Sequence, residues 1–208
     1  MEKLVIPSGQ EFNIFSSRFP SWKNWLATMV LDIDGNHSGE DGTSKSVSND
    51  LDLQLLLALR SRSNVIVTTG KTARTEGYKS SRFAPIAILT RSTETLMNIP
   101  ALDQAGGFEN LVLRSETKNF NFAEIQENLK SRGFNTFLFE GGPASLSQLL
   151  SSKLEIQFVL SVIGGGDLDQ KDIRQIALER VGLTDEFSLE DDFLAGENRV
   201  LRLVKPAI

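Results

Sequence analysis

A glycine pair follows an apolar segment in the sequence Phe139-Glu140-Gly141-Gly142-Pro143. Two glycines allow the backbone to take a positive φ and to approach a ligand closely. Pro143 suits the first turn of a helix, where its missing N–H costs nothing, and the amides at such a helix start bind phosphate groups. The segment therefore predicts either a turn that binds the phosphates of a cofactor or a plain strand–helix turn with Glu140 in solvent.

A second glycine run, Gly164-Gly165-Gly166, follows the next apolar segment. Ligands of open α/β sheets lie beyond the carboxyl ends of the strands, where both glycine runs are expected. We therefore predict that the second run also presents bare backbone to the ligand, which favours the phosphate-binding interpretation of the first.

Residues 68–78 read Thr-Thr-Gly-Lys-Thr-Ala-Arg-Thr-Glu-Gly-Tyr and begin at the end of a predicted strand. The Gly-Lys-Thr triplet is similar to the end of a nucleotide-binding P-loop, but that motif needs a further glycine where this chain has Val65. Without that glycine the loop is too short to wrap a triphosphate, so we do not predict an NTPase. The hydroxyl groups beside Arg74 and Glu76 still indicate a ligand site.

The composition argues against several other kinds of chemistry. The 208 residues include no cysteine and one histidine, His37, so we predict no disulfide, no thiolate nucleophile and no bound metal. The net charge of −5 argues against a general binder of nucleic acids or anionic membranes. No Gly-x-Gly-x-x-Gly fingerprint occurs, no apolar run reaches the about 20 residues that span a bilayer, and the first residues do not resemble a signal peptide. We expect a soluble, cytoplasmic protein.

Alternating strands and helices are needed to position these segments. Apolar runs predict strands at 25–33, 64–69, 85–90, 111–113, 136–139 and 156–163, helical spacing predicts helices at 50–60, 122–132 and 144–151, and residues 186–194 and 200–204 predict a C-terminal hairpin. This alternation predicts a three-layer α/β fold, with a mainly parallel central sheet, helices on both faces and an antiparallel C-terminal hairpin. Residues 1–24 read as an irregular N-terminal leader before a single domain at 25–208.

Four stretches, taken in order, resemble the reductase domain of the bifunctional deaminase–reductase of riboflavin biosynthesis, which has a dihydrofolate-reductase-like fold. The stretches are Asp34-Gly35 with the later Gly42-Thr43-Ser44, Leu59-Arg60, Thr72 to Tyr78, and Glu140 to Pro143 followed by Gly164 to Gly166. Their order and spacing are more specific than any one of them. The pattern is most similar to the free-standing pyrimidine reductases of actinobacterial type.

The resemblance implies a reaction and its participants. A hydride from NADPH would reduce the ring-opened ribosyl group of a small phosphorylated substrate, 5-amino-6-(5-phosphoribosylamino)uracil, to the ribityl product. The family also suggests a homodimer. Two alternatives stay open: a reductase of a pterin or dihydrofolate-like substrate on the same scaffold, and a degenerate relative that binds a nucleotide without turnover.

Matched by motif, the family implies a role for each site residue. Ser44, Arg60, Arg82 and Glu140 would bind the substrate. Thr72, Thr90, Arg91, Ser92, Gly141, Gly142, Pro143, Ala144, Ser145, Gly164 and Gly165 would bind NADPH, with Arg91 at the 2′-phosphate. Glu76 is the predicted proton donor and Asp34 the second candidate, although either can equally accept hydrogen bonds from backbone N–H groups.

The chain departs from the family near the predicted site. Val30, Leu31 and Asp32 stand where small or hydroxyl residues are usual, and Asp32 adds an acid near the expected nicotinamide. Ser46 stands where an aromatic residue is frequent. These departures bear on the identity of the substrate more than on the fold or the cofactor.

Overall fold

A computed structural model describes residues 2–103 and 107–207 of the chain. Within these ranges the strands are β1 (Glu2–Leu4), β2 (Asn24–Asp32), β3 (Val65–Thr69), β4 (Ile86–Thr90), β5 (Leu111–Arg114), β6 (Thr136–Phe139), β7 (Ile156–Ile163), β8 (Ser188–Ala195) and β9 (Asn198–Lys205). The helices are α1 (Glu11–Arg18), α2 (Asp50–Arg62), α3 (Gly70–Thr75), α4 (Pro100–Asp103), α5 (Phe122–Ser131), α6 (Pro143–Leu150) and α7 (Gln170–Val181).

The strands form one sheet in the order β1-β8-β9-β7-β2-β6-β3-β4-β5. β9 is antiparallel to both of its neighbours, and the other strand pairs in the described part of the chain are parallel. β3 and β4 are buried along their whole length, as expected for central parallel strands that are covered on both faces. The predicted fold class, a mainly parallel sheet with an antiparallel C-terminal hairpin, is confirmed.

An apolar core lies on each face of the sheet. On one face Trp25, Phe137 and Phe139 pack with the buried sides of α5, α6 and α7. On the other face Leu26 and Leu138 pack with α1 and α2. Adjacent residues of one strand enter different cores because successive side chains point to opposite faces. This arrangement gives the three predicted layers.

β1 and α1 replace the irregular structure predicted for the first 24 residues, so that prediction is wrong. β1 pairs in parallel with β8 and forms the edge of the sheet. Phe15, Phe19 and Trp22 are buried, and the Phe15 ring centre lies 6.4 Å from that of Phe193. Phe12, Phe15 and Phe19 recur at helical spacing, a signal that the surrounding prolines and polar residues mask. The segment therefore contributes to the common sheet and core.

α7 has no counterpart among the predicted elements. The helix begins with a capping box at Asp169 and ends at Gly182, which has a φ of 68°. Its buried residues are Ile173, Ala177 and Val181, one on each successive turn. All these signals are local, but the many charged residues between them conceal the apolar side of the helix.

The strands and helices predicted from residue 25 onwards are confirmed, with small shifts at their ends. The long loop between β2 and α2 contains a single short 3₁₀ turn at Ser44–Ser46. α3, which was not expected, begins directly after β3 with Thr69 as its N-cap. None of the helices in the described ranges combines the length and the apolar character that crossing a membrane requires.

Candidate active site

A cavity of about 720 Å³ opens between β2, α2, α3 and the turn from β6 to α6. Eight of the predicted site residues, from four separate segments, line it, among them Ser44, Arg60, Thr72, Glu76 and Glu140. Gly141, Gly142 and Pro143 complete one wall. The cavity lies at the carboxyl ends of β3 and β6, the place where open α/β sheets bind ligands.

Glu140 follows β6, and two side chains hold its carboxylate. Arg60 donates from Nε to Oε1 at 2.8 Å and from Nη2 to Oε2 at 2.5 Å. The hydroxyl of Tyr78 donates to Oε2 at 2.6 Å. Only 4% of the Glu140 side chain is exposed, so the alternative of a plain turn with Glu140 in solvent is wrong. Bidentate pairing of this kind fixes the position of the guanidinium as well as its charge.

Burial and charge set the protonation of this cluster. Burial opposes the charged form of Arg60, but the charge and hydrogen bonds of Glu140 outweigh it and raise the pKa of Arg60 above its usual range. Burial, together with the charge of Glu140, raises the pKa of Tyr78 well above its usual value. Arg60 is therefore a permanent cation and Tyr78 a neutral hydrogen-bond donor.

Glu76 follows α3 and contacts the loop between β2 and α2. Its carboxylate accepts hydrogen bonds from the backbone N–H of Ser44 at 2.8 Å and from the Ser44 hydroxyl at 3.2 Å. The sequence allowed two roles for Glu76, proton donor or acceptor of backbone hydrogen bonds. The structure shows Glu76 as an acceptor. The contact places Ser44, a predicted substrate-binding residue, on the wall of the cavity.

The turn from β6 to α6 has Gly142 as N-cap and Pro143 as the first helical residue, as predicted. Gly141 and Gly142 do not have a positive φ, so the conformational reason predicted for the pair is wrong. A Cβ added to Gly141 would overlap the Phe139 ring, and the N–H of Gly142 donates to Thr72 Oγ1 at 3.1 Å. Close packing therefore requires glycine at position 141, whereas a Cβ at position 142 would lie at an ordinary contact distance of 3.4 Å from Thr72 Oγ1.

Ala144 and Ser145, also predicted to bind the cofactor, occupy the first turn of α6 but do not line the cavity. Ser145 is buried, and its hydroxyl donates to the carbonyl of Gly142 at 2.9 Å. Ser145 therefore stabilises the start of the helix.

The second glycine run does not line the cavity. Gly164 has a φ of 73°, which favours glycine, and Gly165 is buried with no room for a Cβ beside Val162. Arg199 closes this turn, because it pairs with Asp192 at 2.7 Å and donates to the carbonyl of Leu168. The prediction of bare backbone at Gly165 is wrong, since the protein's own side chains fill the space.

Thr90, Arg91 and Ser92 end β4 and lie outside the cavity lining. Arg91 is exposed, and its Nη1 donates to the carbonyl of Lys118 at 2.7 Å. Thr90 is buried, and its hydroxyl oxygen accepts from the N–H of Ser92 at 3.1 Å. β3 separates β4 from β6 in the sheet, so only an extended ligand would reach both Arg91 and the cavity.

Asp34 and Arg82 are exposed and do not line the cavity. The backbone carbonyl of Asp34 accepts from Arg180 at 3.0 Å, and the guanidinium of Arg82 lies 4.7 Å from the centre of the Phe83 ring. The structure therefore does not bring these two predicted residues to the other site residues, although Lys79, Ser80 and Ser81, in the same loop as Arg82, line the cavity.

Asp32, the acid expected near the nicotinamide, organises a turn. Its carboxylate accepts from the N–H groups of Asp34 at 3.0 Å and Asn36 at 2.7 Å, and from the Asn36 side chain at 2.9 Å. Partial burial opposes the charge, but these hydrogen bonds outweigh it and lower the pKa of Asp32. Asp32 is thus an ionised turn residue.

Several cavity residues have no counterpart in the predicted site, namely His37, Lys45, Ser48, Asp52 and Lys79. Partial burial, followed by the charge of Arg180, lowers the pKa of His37. The sequence signal for Asp52 was limited to its place in the first turn of α2, where an acidic residue is ordinary.

The sheet order and the cavity at the carboxyl ends of its strands define a dihydrofolate-reductase-like α/β fold. A bifunctional deaminase and 5-amino-6-(5-phosphoribosylamino)uracil reductase from Thermotoga maritima shares this fold, with a TM-score of 0.63 and 17% identity over 95% of this chain. This chain spans 60% of the length of that protein. A pyrimidine reductase-like protein from Corynebacterium diphtheriae has a TM-score of 0.62 and 15% identity over 94% of this chain and 98% of its own.

A dihydrofolate reductase from Enterococcus faecalis, solved as a complex with NADP(H), has a TM-score of 0.52 and 13% identity over 87% of this chain and 95% of its own. The sequence matches no protein-family model and no curated protein. The predicted resemblance to the pyrimidine reductases is therefore confirmed at the level of the fold.

Proposed function

We propose that this chain is an NADPH-dependent reductase of 5-amino-6-(5-phosphoribosylamino)uracil. The observation that carries the proposal is the assembly of Ser44, Arg60, Thr72, Glu76 and Glu140 in one cavity from distant parts of the chain. A fold that solved pyrimidine reductases share supports the same reaction class.

The wall at the turn from β6 to α6 fits a nicotinamide cofactor. Gly142 carries no side chain, lines the cavity and caps the amino end of the eight-residue helix α6, where phosphate groups bind favourably. Thr72 adds a hydroxyl beside it, and Arg91 supplies an exposed cation for a 2′-phosphate. When bound, NADPH would supply the hydride.

Cations around the cavity fit a phosphorylated substrate. Arg60 lies within the cavity, and Lys45 and Lys79 are exposed at its rim. Glu140 neutralises the inner side of the Arg60 guanidinium and holds it still, so the substrate meets a cation that needs little reorganisation. Ser44, held by Glu76, adds a hydroxyl to the cavity lining.

Cofactor binding and turnover test the proposal with the full-length chain. NADPH is expected to raise the melting temperature, because a ligand at 100 times its Kd adds about 2.7 kcal/mol to the free energy of unfolding. NADH at the same concentration is expected to raise it less, because it lacks the 2′-phosphate that Arg91 would bind. NADPH oxidation is expected with the deaminated phosphoribosylaminopyrimidine. Arg60→Lys keeps a cation but loses the bidentate geometry. This variant is expected to raise KM for that substrate.

Two results would replace the proposal. Oxidation of NADPH with dihydrofolate but not with the pyrimidine would indicate a pterin reductase on the same scaffold. The fold shared with the dihydrofolate reductase from Enterococcus faecalis is the reason for testing this substrate. A thermal shift with NADPH but no oxidation of either substrate would indicate a degenerate relative that binds a nucleotide without turnover. The expected homodimer and cytoplasmic location are further parts of the proposal, and sedimentation of the purified chain tests the first.

A further inference from the structure

The only histidine of the chain, His37, lies in the loop between β2 and α2 and lines the cavity. The residue is exposed, and no hydrogen bond or ion pair among the described residues engages its imidazole. Ser44, on the same loop, lines the cavity as well. Both ring nitrogens of His37 are therefore available to a ligand that enters the cavity.

Charged groups from two other elements act on His37. Arg180 belongs to α7, Lys71 belongs to α3, and Glu76 directly follows α3. The two cations oppose a positive charge on the imidazole, whereas Glu76 favours it. Across the described residues no other charged group acts on this ring, so two cations surround it against one carboxylate.

The loop that carries His37 also contacts two of these charged groups. Arg180 donates from Nη2 to the backbone carbonyl of Asp34 at 3.0 Å. The carboxylate of Glu76 accepts from the N–H and the hydroxyl of Ser44. The carboxylate is therefore occupied, whereas no ion pair within the described ranges neutralises the guanidinium of Arg180.

These surroundings keep the imidazole neutral in the ligand-free protein. Partial burial lowers the pKa of His37 most and the charge of Arg180 adds to it, while Glu76 opposes the effect and Lys71 lowers the pKa further. At neutral pH the ring is therefore uncharged. An anion beside the ring would favour the charged form, because it offsets the repulsion between the imidazolium and the two cations. His37 can thus couple the binding of an anion to the uptake of a proton.

We propose that His37 binds a phosphate group of the ligand in the cavity, an inference that rests on the proposed function. Solvent supplies a proton to the unprotonated ring nitrogen, and the imidazolium then donates an N–H hydrogen bond to a phosphate oxygen. No other bond forms or breaks. Both proposed ligands carry such a group, the cofactor as a diphosphate and the substrate as a monoester.

Proton NMR of the full-length chain tests the contact, because a single histidine gives a single set of ring signals. The pKa of His37 is expected to rise when the oxidised cofactor NADP+ or ribose 5-phosphate is added. The ligand that raises it identifies the phosphate as that of the cofactor or that of the substrate. Sodium chloride at matched ionic strength controls for screening. A pKa that neither ligand changes would overturn the proposal.

Substitutions at His37 test whether the charge is needed. Relative to His37→Gln, the wild type is expected to bind the identified ligand about tenfold more tightly near pH 6 and equally near pH 9, because only the protonated ring makes a charge-assisted contact. This ratio cancels the titration of the phosphate itself. His37→Lys is expected to keep the advantage at both pH values, since lysine stays charged.

Ser38→Ala, the next residue of the same loop, is the matched control and is expected to show the wild-type pH profile. Identical pH profiles for the wild type and His37→Gln would overturn the proposal. His37→Gln is expected to unfold at the wild-type temperature, because the imidazole has no hydrogen-bond partner in the described part of the protein. A loss of affinity in this variant would therefore not reflect misfolding.

The outcomes separate this inference from the proposed function. A wild type that reduces the pyrimidine while the pKa of His37 stays constant with both ligands overturns the role of His37 alone. A wild type without reductase activity, whose His37 pKa still rises with either ligand, overturns the proposed reaction and leaves His37 as a phosphate-binding residue. A wild type with neither activity nor a change in pKa overturns both.

Discussion

The turns that follow β6 and β7 are both rich in glycine, but they have different surroundings. After β6, Gly141 and Gly142 pack against Phe139 and Thr72 and still form a wall of the cavity. After β7, Gly165 is buried against Val162 in a turn outside the cavity. A glycine run marks a close approach to the backbone, and these two turns show that the approaching group can be the protein itself.

The element that follows each turn explains the difference. α6 starts at the first turn and leaves its amino end at the cavity. The second turn is a 3₁₀ turn that meets the C-terminal hairpin, where the pair of Arg199 and Asp192 covers it. The comparison therefore predicts that substitutions at the first turn affect ligand binding and substitutions at the second affect stability.

The largest expected effect concerns the ion pair that anchors the first turn. Arg60→Ala leaves the buried carboxylate of Glu140 without its cation and is expected to lower the free energy of unfolding by about 3 kcal/mol. Denaturant unfolding measures the change. Arg60→Lys retains the charge and is expected to lose less, and equal losses for the two variants would contradict a role of the charge.

Gly142→Val tests ligand binding at the first turn. The valine side chain would enter the cavity beside Thr72, so we expect no measurable binding of NADPH in a fluorescence titration. The φ of Gly142 is −67°, which any residue adopts. The free energy of unfolding is therefore expected to fall by only about 1 kcal/mol, because valine is a less favourable N-cap than glycine. Wild-type NADPH affinity in this variant would refute the cofactor wall.

Gly165→Ala is the matched change at the second turn. Its Cβ would lie 2.9 Å from Cγ1 of Val162, and overpacking of this kind costs about 1 to 3 kcal/mol. Thermal unfolding measures the loss, while the Kd for NADPH of the folded fraction is expected to stay unchanged. A selective loss of NADPH binding at full stability would return this turn to the cofactor site.

The smallest expected effect is at the end of β4. Arg91→Ala is expected to weaken NADPH about tenfold and NADH hardly at all, since a charge-assisted hydrogen bond contributes roughly 1.5 kcal/mol. Isothermal titration with both cofactors measures the difference. Arg132→Ala, at an exposed arginine directly after α5, is the control. Equal losses for both cofactors would remove Arg91 from the 2′-phosphate site.

The prediction of the fold succeeded where the residue pattern is local. The β-branched run of β3 and the sharp stop of β6 before Glu140 are visible in the sequence and are confirmed. α1 and α7 were missed because their apolar residues are spaced among polar and charged ones, and only the partner surface shows which side is buried. The turn after β7 was misread for a similar reason, since the covering Arg199 is distant in the chain.

The sequence by itself determined the order of the strands from β2 to β9 and of the helices α2, α5 and α6, since periodicity, caps and glycine turns act over a few residues. The tertiary structure decided which polar groups meet. Ser44 and Glu76 are 32 residues apart and Arg60 and Glu140 are 80 apart. Asp52 is half-buried and accepts a hydrogen bond from Ser48, whereas Asp50 in the same turn of α2 is exposed. Protonation and partner choice depend on desolvation and on distances of a few ångströms, which only the folded chain defines.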